Sequence, residues 1–505
     1  MTVSTQPVEK LPTGIPGFDL IADGGLPRQR ATLIAGTAGS AKTVFAAHFL
    51  AAGIARGEAG VFVTFEDSVE DLRRNVASFG WDVAAWEAAG TWVFVDASPD
   101  ADQPTTVVGD FDLSALLARV EHAIRRSGAA RVSIDSLNAL FVQYRDHALL
   151  RAELYRITTR LKRMGVTLVF TSERTEEYGE VSRYGVEEFV ADNVVILRNL
   201  LVDERRRRTL ELLKVRGAPH QRGEFPFTIT DHGIIVLPLS GITLTQSSSI
   251  VRVGTGNRVL DEMCGGGFFR DSIILLSGAT GTGKTLMVTQ FLAAGFEAGE
   301  RCLLFAFEES RDQLYRNAAA WGYDFAGMER DGKLKVVNSY PHAMAMEDHL
   351  VLMRDTIEAF APSRVAVDSL SALERVTSVR AFREFVISLT SFLKLKETAG
   401  LFTSTTPSLM GGTSVTEKHI STLTDTIILL RYVESYGQMR RGLTVLKMRG
   451  SAHDHDIREY TIDGKGMHVL GPFRDVSGVL SGNPTFAAEG DHGAPAGRGE
   501  DEREG

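Results

Sequence analysis

The sequence predicts an α/β fold of two tandem lobes, each built on a parallel β-sheet with helices on both faces. Three observations carry this expectation. Short apolar runs rich in Val and Ile alternate with segments of helical period, among them VEDLRRNVASFG (69–80) and LLRAELYRITTRLKRMG (149–165), and such βαβα alternation calls for parallel strands. The alternation is written twice along the chain. After each helical half, strand-like runs follow with little helix between them (NVVILRN, TLELLKV, FTIT, GIIVL in the first copy), which predicts a β-rich extension of the sheet edge.

The repeat consists of five blocks in the same order. ATLIAGTAGSAKT (31–43) matches SIILLSGATGTGKT (272–285), VFVTFED (61–67) matches LLFAFEE (303–309), and RVSIDSLNAL (131–140) matches RVAVDSLSAL (364–373). ADNVVILR (191–198) then matches TDTIILLR (424–431), and LLKVRG (212–217) matches VLKMRG (445–450). Two lobes of roughly 230 residues follow, not a solenoid of small units. The expected boundaries are 1–239 for the first lobe, 240–250 for a Ser/Thr-rich linker and 251–486 for the second lobe. Residues 487–505, Gly-, Ala- and acid-rich, are expected to form a disordered tail.

Composition limits the function classes. The chain has 505 residues, 44% hydrophobic and 24% charged, with a net charge of −9 and a mean hydropathy of −0.03, the profile of a soluble globular protein. The acidic balance speaks against a surface tuned for nucleic acid. No apolar run approaches the roughly 20 residues of a spanning helix, and the first ten residues contain no signal-type apolar stretch. Cys264 and Cys302 show no ligand spacing, so a cytoplasmic protein without disulfide or zinc staples is expected.

The chemistry concentrates where strand meets helix. Gly278-Ala-Thr-Gly-Thr-Gly283-Lys284-Thr285 fits GxxxxGK[ST] and sits between a strand-like and a helical run. Backbone N–H groups of such a loop close around phosphate oxygens, the lysine reaches the terminal phosphates and the hydroxyl faces Mg²⁺. The first lobe has Gly36-Thr-Ala-Gly-Ser-Ala41-Lys42-Thr43, with alanine at the last glycine position. Asp135 and Asp368 each end an apolar strand run, where an open α/β sheet places a ligand and where a carboxylate can hold Mg²⁺ through water. Glu66-Asp67 and Glu308-Glu309 follow strands at matching positions and are candidates to orient and deprotonate an attacking oxygen.

Two further clusters call for a reading. His453 and His455 in HDHD (453–456) are expected on one strand face, a weak metal signal without a third ligand. Arg208, Lys214 and Arg216, with Arg441, Lys447 and Arg449 in the second copy, are expected to alternate on one strand face and to reach a neighbour's phosphates.

Beyond the two phosphate loops, DNVVILRN, GEFPFTITDHGI, LDEMCGGGFF, SLSAL and HISTLTDTIILL (419–430) resemble the KaiC family of RecA-like P-loop ATPases, from about Leu11 to Thr485. The resemblance implies a homohexamer of two stacked rings with ATP at subunit interfaces, a slow ATPase in the first ring and a serine/threonine autokinase with autophosphatase activity in the second, serving a clock or signalling role. It places phosphorylation on Ser421 and Thr422. Anchoring the repeat on Asp192 and Asp425 supports the same pair, because the first lobe has Glu188 and Phe189 there and offers no hydroxyl.

The resemblance also carries over the site residues. Catalytic roles fall on Glu66, Asp67, Glu308 and Glu309, and Mg²⁺ contacts on Thr43, Asp135, Thr285, Glu308 and Asp368. ATP contacts in the first lobe fall on Gly39, Ser40, Ala41, Lys42, Thr43, Val44, Ser78, Lys214, Val215, Arg216, Ala218, His220, Thr230 and Asp231. In the second they fall on Thr280, Gly281, Thr282, Gly283, Lys284, Thr285, Leu286, Trp321, Arg441, Lys447, Met448, Arg449, Ser451 and His453. Neighbouring subunits would supply Lys214, Arg216 and His220 in ring one, and Arg441, Lys447, Arg449, Ser451 and His453 in ring two. Ala41, Asp67 and Ala452 depart from the family pattern. A KaiB-like partner on the first ring is expected, whereas the acidic tail after VLSGNPTF (479–486) speaks against a KaiA-like activator. The competing classes are a RecA-type DNA motor or recombinase, recognisable by salt-dependent DNA binding, and a nucleotide-switched scaffold without turnover.

Overall fold

The computed structural model of the protein describes residues 8–98, 113–143, 147–183, 185, 187–202, 204–238, 248–406, 420–435, 437–474, 476–477 and 485–486. The first part of the expected linker, the expected tail and residues 479–484 lie outside the described residues. The chain divides into two compact units, Met1–Thr243 and Leu244–Gly505.

The first unit carries strands β1 (Ala31–Gly36), β2 (Gly60–Thr64), β3 (Trp92–Asp96), β4 (Arg131–Asp135), β5 (Thr167–Glu173), β6 (Asn193–Val202), β7 (Arg205–Val215), β8 (Glu224–Thr230) and β9 (Gly233–Val236). Their order across the sheet is β3-β2-β4-β5-β1-β6-β7-β8-β9. The first six of these neighbours are parallel. From β6 onward the pairing turns antiparallel, which is the β-rich edge expected from sequence.

Alternation along each strand sends side chains to both faces. Ala31, Leu33 and Ala35 of β1, with Val61 and Val63 of β2, join one core under the helices α3 (Leu113–Ser127) and α4 (His147–Arg163). Ile34 and Phe62 point the other way, into a core with α1 (Lys42–Ile54) and with Leu72 and Val76 of α2 (Val69–Ala77). The parallel part of the sheet is therefore covered on both faces, which favours apolar residues of either parity in its central strands.

The second unit repeats the plan. Strands β10 (Ile273–Gly278), β11 (Cys302–Ala306), β12 (Leu334–Asn338), β13 (Arg364–Asp368), β14 (Ala399–Thr405), β15 (Thr426–Ser435), β16 (Gln438–Met448), β17 (Arg458–Asp463) and β18 (Gly466–Pro472) run in the order β12-β11-β13-β14-β10-β15-β16-β17-β18. Helix α5 (Lys284–Glu297) follows β10 as α1 follows β1.

Each unit also buries one arginine at the start of its fourth strand. Arg131 donates to Glu58 at 2.7 Å and to the carbonyls of Phe49 and Pro12 at 2.8 and 3.0 Å. Arg364 donates to Glu300 and to the carbonyls of Gly254 and Phe291, and its guanidinium lies over the Phe291 ring as that of Arg131 lies over Phe49. A buried guanidinium is tolerable only when its charge and N–H groups are met in this way, so the pair is a fixed strut between helix, strand and N-terminal segment.

Candidate nucleotide and phosphoacceptor sites

The two phosphate loops leave β1 and β10 at their carboxyl ends and enter α1 and α5. In the second, Gly281 and Gly283 take positive φ of 81° and 94°. A Cβ on Gly283 would stand 2.7 Å from Cδ1 of Ile462, whose side-chain tip would have to move, so glycine is favoured there by its dihedral and, to a lesser degree, by space. Ala41 holds the matching N-cap position at φ 76° and carries its side chain into the left-handed region, a strain of roughly 1–2 kcal/mol.

Both lysines fold back onto their own loops. Lys42 Nζ donates to the Thr37 carbonyl at 2.9 Å, and Lys284 Nζ to the Gly278 and Ala279 carbonyls at 2.9 Å. Burial pushes both ammonium groups below the ordinary lysine range, opposed by carboxylates that face them. Carbonyls are poor substitutes for phosphate oxygens, so the lysines are poised to turn outward onto an anion.

The strand-end aspartates sit directly beneath. Asp368 Oδ2 accepts from Thr285 Oγ1 at 2.8 Å, and Oδ1 from Thr403 Oγ1 at 2.5 Å. In the first unit Asp135 accepts from Thr171 and from Thr43. Burial raises both carboxyl groups above the usual carboxylate range. A hydroxyl and one aspartate at each site leave most of a cation's shell to water and phosphate, which fits Mg²⁺. Among the described residues no cluster of three or more His, Cys, Asp or Glu suits a metal held by protein alone.

The acidic pairs follow. Glu66 accepts from Ser136 Oγ at 3.0 Å and is raised first by burial. Glu308 accepts from Ser369 Oγ at 3.1 Å and is also held by Arg375, a position at which the first unit has Val142. Glu309 is likewise raised by burial and bonded by Asn317. Among the described residues Glu66 is bonded by a neutral hydroxyl and faces the Lys42 ammonium, whereas Glu308 has an arginine partner as well.

The remaining expected contacts divide by location. Ser40 and Thr282 are buried within the loops, Gly39, Thr280 and Gly281 lie exposed on them, and Val44 and Leu286 lie in the first turns of the helices. Ser78 ends α2 near Gly80, which approaches the Asp231 carbonyl in the β8–β9 turn beside Thr230. Trp321 packs, partly buried, against the second-unit core.

The single-face expectation for the cations is wrong. Lys214 pairs with Val194 and Leu212 with Val195, so Leu213 is an extra residue in β7. Lys447 pairs with Ile427 and Val445 with Ile428, making Leu446 its counterpart in β16. Each bulge flips the face, so Arg208 and Arg441 point opposite to Lys214 and Lys447, and Arg216 and Arg449 lie beyond the strand ends. Arg208 and Arg441 also belong to the phosphate-loop end of their own lobe. Arg208 donates to the Gly39 carbonyl at 3.4 Å, and Arg441 stacks over Tyr432, whose hydroxyl abuts Gly281.

Lys447 and Arg449 stand at the other end. Gly278 pairs with Leu430, and β15 begins four residues earlier at Thr426, roughly 13 Å away along the strand. There Lys447 donates to the Ser421 and Thr424 carbonyls at 2.7 Å and Arg449 to that of Thr422 at 2.8 Å. Lys214 does the same for Glu188 and Ala191 at 3.3 and 2.9 Å, and Arg216 lies 3.6 Å from Asp192. Val215 and Met448 share this end, followed by Ala218 and His220 in the first unit. Ser451 accepts from Arg252 at 2.7 Å.

The histidine expectation is overturned as well. Residues 451–457 are not a strand, β17 starting only at Arg458, and His453 and His455 meet ring to ring at 4.5 Å. Several residues of the sites escaped the sequence. Thr171 and Thr403, Ser136 and Ser369, Arg375, and the acids Glu173 and Glu177 beside Lys42 all bear on them. The first four occupy matching positions of the repeat, a signal that was readable.

The model of the family described as "ATPase: KaiC" matches residues 11–241 and 253–473. The chain is 63% identical over 486 residues to the circadian clock protein KaiC3 of Synechocystis sp., covering 96% of each chain. It is 55% identical over 483 residues to the circadian clock oscillator protein KaiC of Thermostichus vulcanus, covering 95% of this chain and 93% of that one. To the protein of the same name from Synechococcus elongatus it is 54% identical over 481 residues, covering 95% and 92%.

Proposed function

This chain belongs to the KaiC family of ATPases, and from that premise we propose that it is an ATP-dependent serine/threonine autokinase and autophosphatase with a slow ATPase, acting in timing or signalling. One observation carries the division of labour. The second lobe presents Ser421 and Thr422, pinned through their backbone by Lys447 and Arg449, where the first lobe presents Glu188 and Phe189. A hydroxyl is an acceptor for a phosphoryl group; a ring and a carboxylate leave only water to attack.

In this reading Lys42 and Lys284 turn from their carbonyl partners onto the triphosphate, and Glu66 and Glu308 take a proton from the attacking oxygen. Thr43 with Asp135, and Thr285 with Asp368, would hold Mg²⁺, which neutralises charge developing between the phosphates. The cations at the far end of each sheet cannot reach their own phosphate loop. They suit a neighbour's nucleotide in a heterologous interface that closes into a ring, the homohexamer of the proposal. A KaiB-like protein is the partner proposed for the first ring. No helix among the described residues is long and apolar enough to cross a membrane.

The test is incubation with Mg-ATP followed by phosphosite mapping. Phosphate on Ser421 and Thr422, lost in Lys284→Ala, is the expected result. Steady ATP hydrolysis without any phosphoprotein would favour the nucleotide-switched reading instead.

A further inference from the structure

We propose that Glu177 is a positioning residue of the first-lobe nucleotide site: its carboxylate, latched to Thr37 at the start of the phosphate loop, sets how tightly that lobe holds anionic nucleotide. The inference deepens the reading of this lobe as a nucleotide site and rests on it.

The latch is built on both sides. Arg174, 3% exposed, spends its guanidinium on the carbonyls of Glu180, Glu177 and Gly179 at 2.9, 3.0 and 3.1 Å. Arg198 adds a bond to the Glu177 carbonyl at 3.0 Å. Two cations thus fix the main chain of a loop that contains no regular structure, and the Glu177 side chain is aimed rather than free. One carboxylate oxygen accepts from Thr37 Oγ1 at 2.7 Å and the other from the Asn199 backbone N–H at 3.0 Å. Lys42 feels its charge.

The second lobe keeps a buried arginine, Arg431, at the position of Arg198, but has Thr406 in place of Arg174 and lacks the carboxylate and both groups it binds. Aligned on the lysines, Thr37 is replaced by Ala279; aligned on Asp192 and Asp425, Asn199 is replaced by Tyr432. Aligned on Thr171 and Thr403, which play the same role toward Asp135 and Asp368, the sequence has Leu409 where the first lobe has Glu177. Nothing in hydrolysis or phosphoryl transfer as derived above uses this carboxylate. A fixed anion at the mouth of a phosphate cradle opposes incoming phosphates, and the opposition grows with the charge of the ligand. Its effect is therefore on affinity, graded by phosphate number, and confined to the first lobe.

The experiment uses the full chain carrying Lys284→Ala, so that binding reports on the first lobe, and compares Glu177→Gln with its parent. The amide keeps an acceptor for Thr37 and removes the charge. Fluorescent methylanthraniloyl derivatives of ATP, ADP and AMP are the probes, titrated at low salt and at 0.5 M salt, about where a Debye length shrinks to a few ångströms. The expected result is about tenfold tighter binding of the ATP probe, a smaller gain for ADP, little for AMP, and a narrower gap at high salt. An equal change for all three probes, or looser binding of all three, would mean that Glu177 only braces the loop and overturns the inference. Absence of saturable binding in the parent would overturn the first-lobe site itself, and the inference with it.

Discussion

Lys447 Nζ donates to the main-chain carbonyl of Ser421 at 2.7 Å, and Lys214 repeats the bond to Glu188, the residue that replaces Ser421 in the first lobe. The cation is thus common to both lobes, and what differs is the side chain it supports, a hydroxyl in one and a carboxylate in the other. Ser421 is 6% exposed, whereas Thr422 is exposed. Thr422 should therefore take phosphate before Ser421, and Ser421→Ala/Thr422→Ala should remove most incorporation while total hydrolysis changes less than twofold. Time-resolved phosphopeptide quantification checks the order; incorporation at the parental level in the double variant would move the acceptor elsewhere.

Glu66 stands exposed just past the end of β2, and desolvation of its carboxyl by the surrounding protein is the first cause that raises it. A base works only when ionised, so first-lobe hydrolysis should fall as pH drops through this raised value, and the acidic limb should vanish in Glu66→Gln together with at least tenfold of the rate. Steady-state hydrolysis against pH, measured in the Lys284→Ala chain, reads both effects. An unchanged profile would pass the role to Asp67.

His48 on α1 accepts from the Ile234 backbone N–H at 3.2 Å, and burial holds its pKa down at about 4. The unfolded chain binds this proton near pH 6.5 and the folded chain does not, so stability is full above pH 6.5 and is lost as pH falls toward 4, by up to about 3 kcal/mol. The second lobe has Gln290 at the matching position. His48→Gln should flatten this part of the first lobe's acid-denaturation profile, monitored by thermal melting between pH 7 and 5.

The two phosphate-loop caps should respond oppositely to exchange. Ala41→Gly relieves the left-handed strain at φ 76°, at the cost of a more flexible unfolded chain, so a change within about 1 kcal/mol is expected. Gly283→Ala adds both strain and a contact 2.7 Å from Ile462, and should cost about 2 kcal/mol or more and slow second-lobe phosphorylation at least tenfold. Melting temperatures and phosphorylation rates of the two variants decide it.

What the sequence disclosed and what it hid divide along physical lines. The repeat, the glycines, the strand-end acids and the antiparallel edge were legible because each is a local pattern with a local cause. The bulges at Leu213 and Leu446 were not, because an inserted leucine in an apolar strand breaks no rule of composition, yet it reverses every side chain beyond it. Glu177 was hidden for another reason. Its partner Thr37 lies 140 residues away, and only subtraction of one lobe from the other, SERTEE against STTPSL, marks it.

The separation of phosphate loop and cations to opposite ends of one sheet has a genetic consequence. A subunit spoiled at one end by Lys284→Ala and a subunit spoiled at the other by Lys447→Ala would each fail when assembled with their own kind. In the proposed ring, a mixture of the two would juxtapose an intact loop with an intact lysine at some of the junctions. Two dead alleles should rescue each other in proportion to how often they alternate, and a single defective copy should silence a neighbour as well as itself.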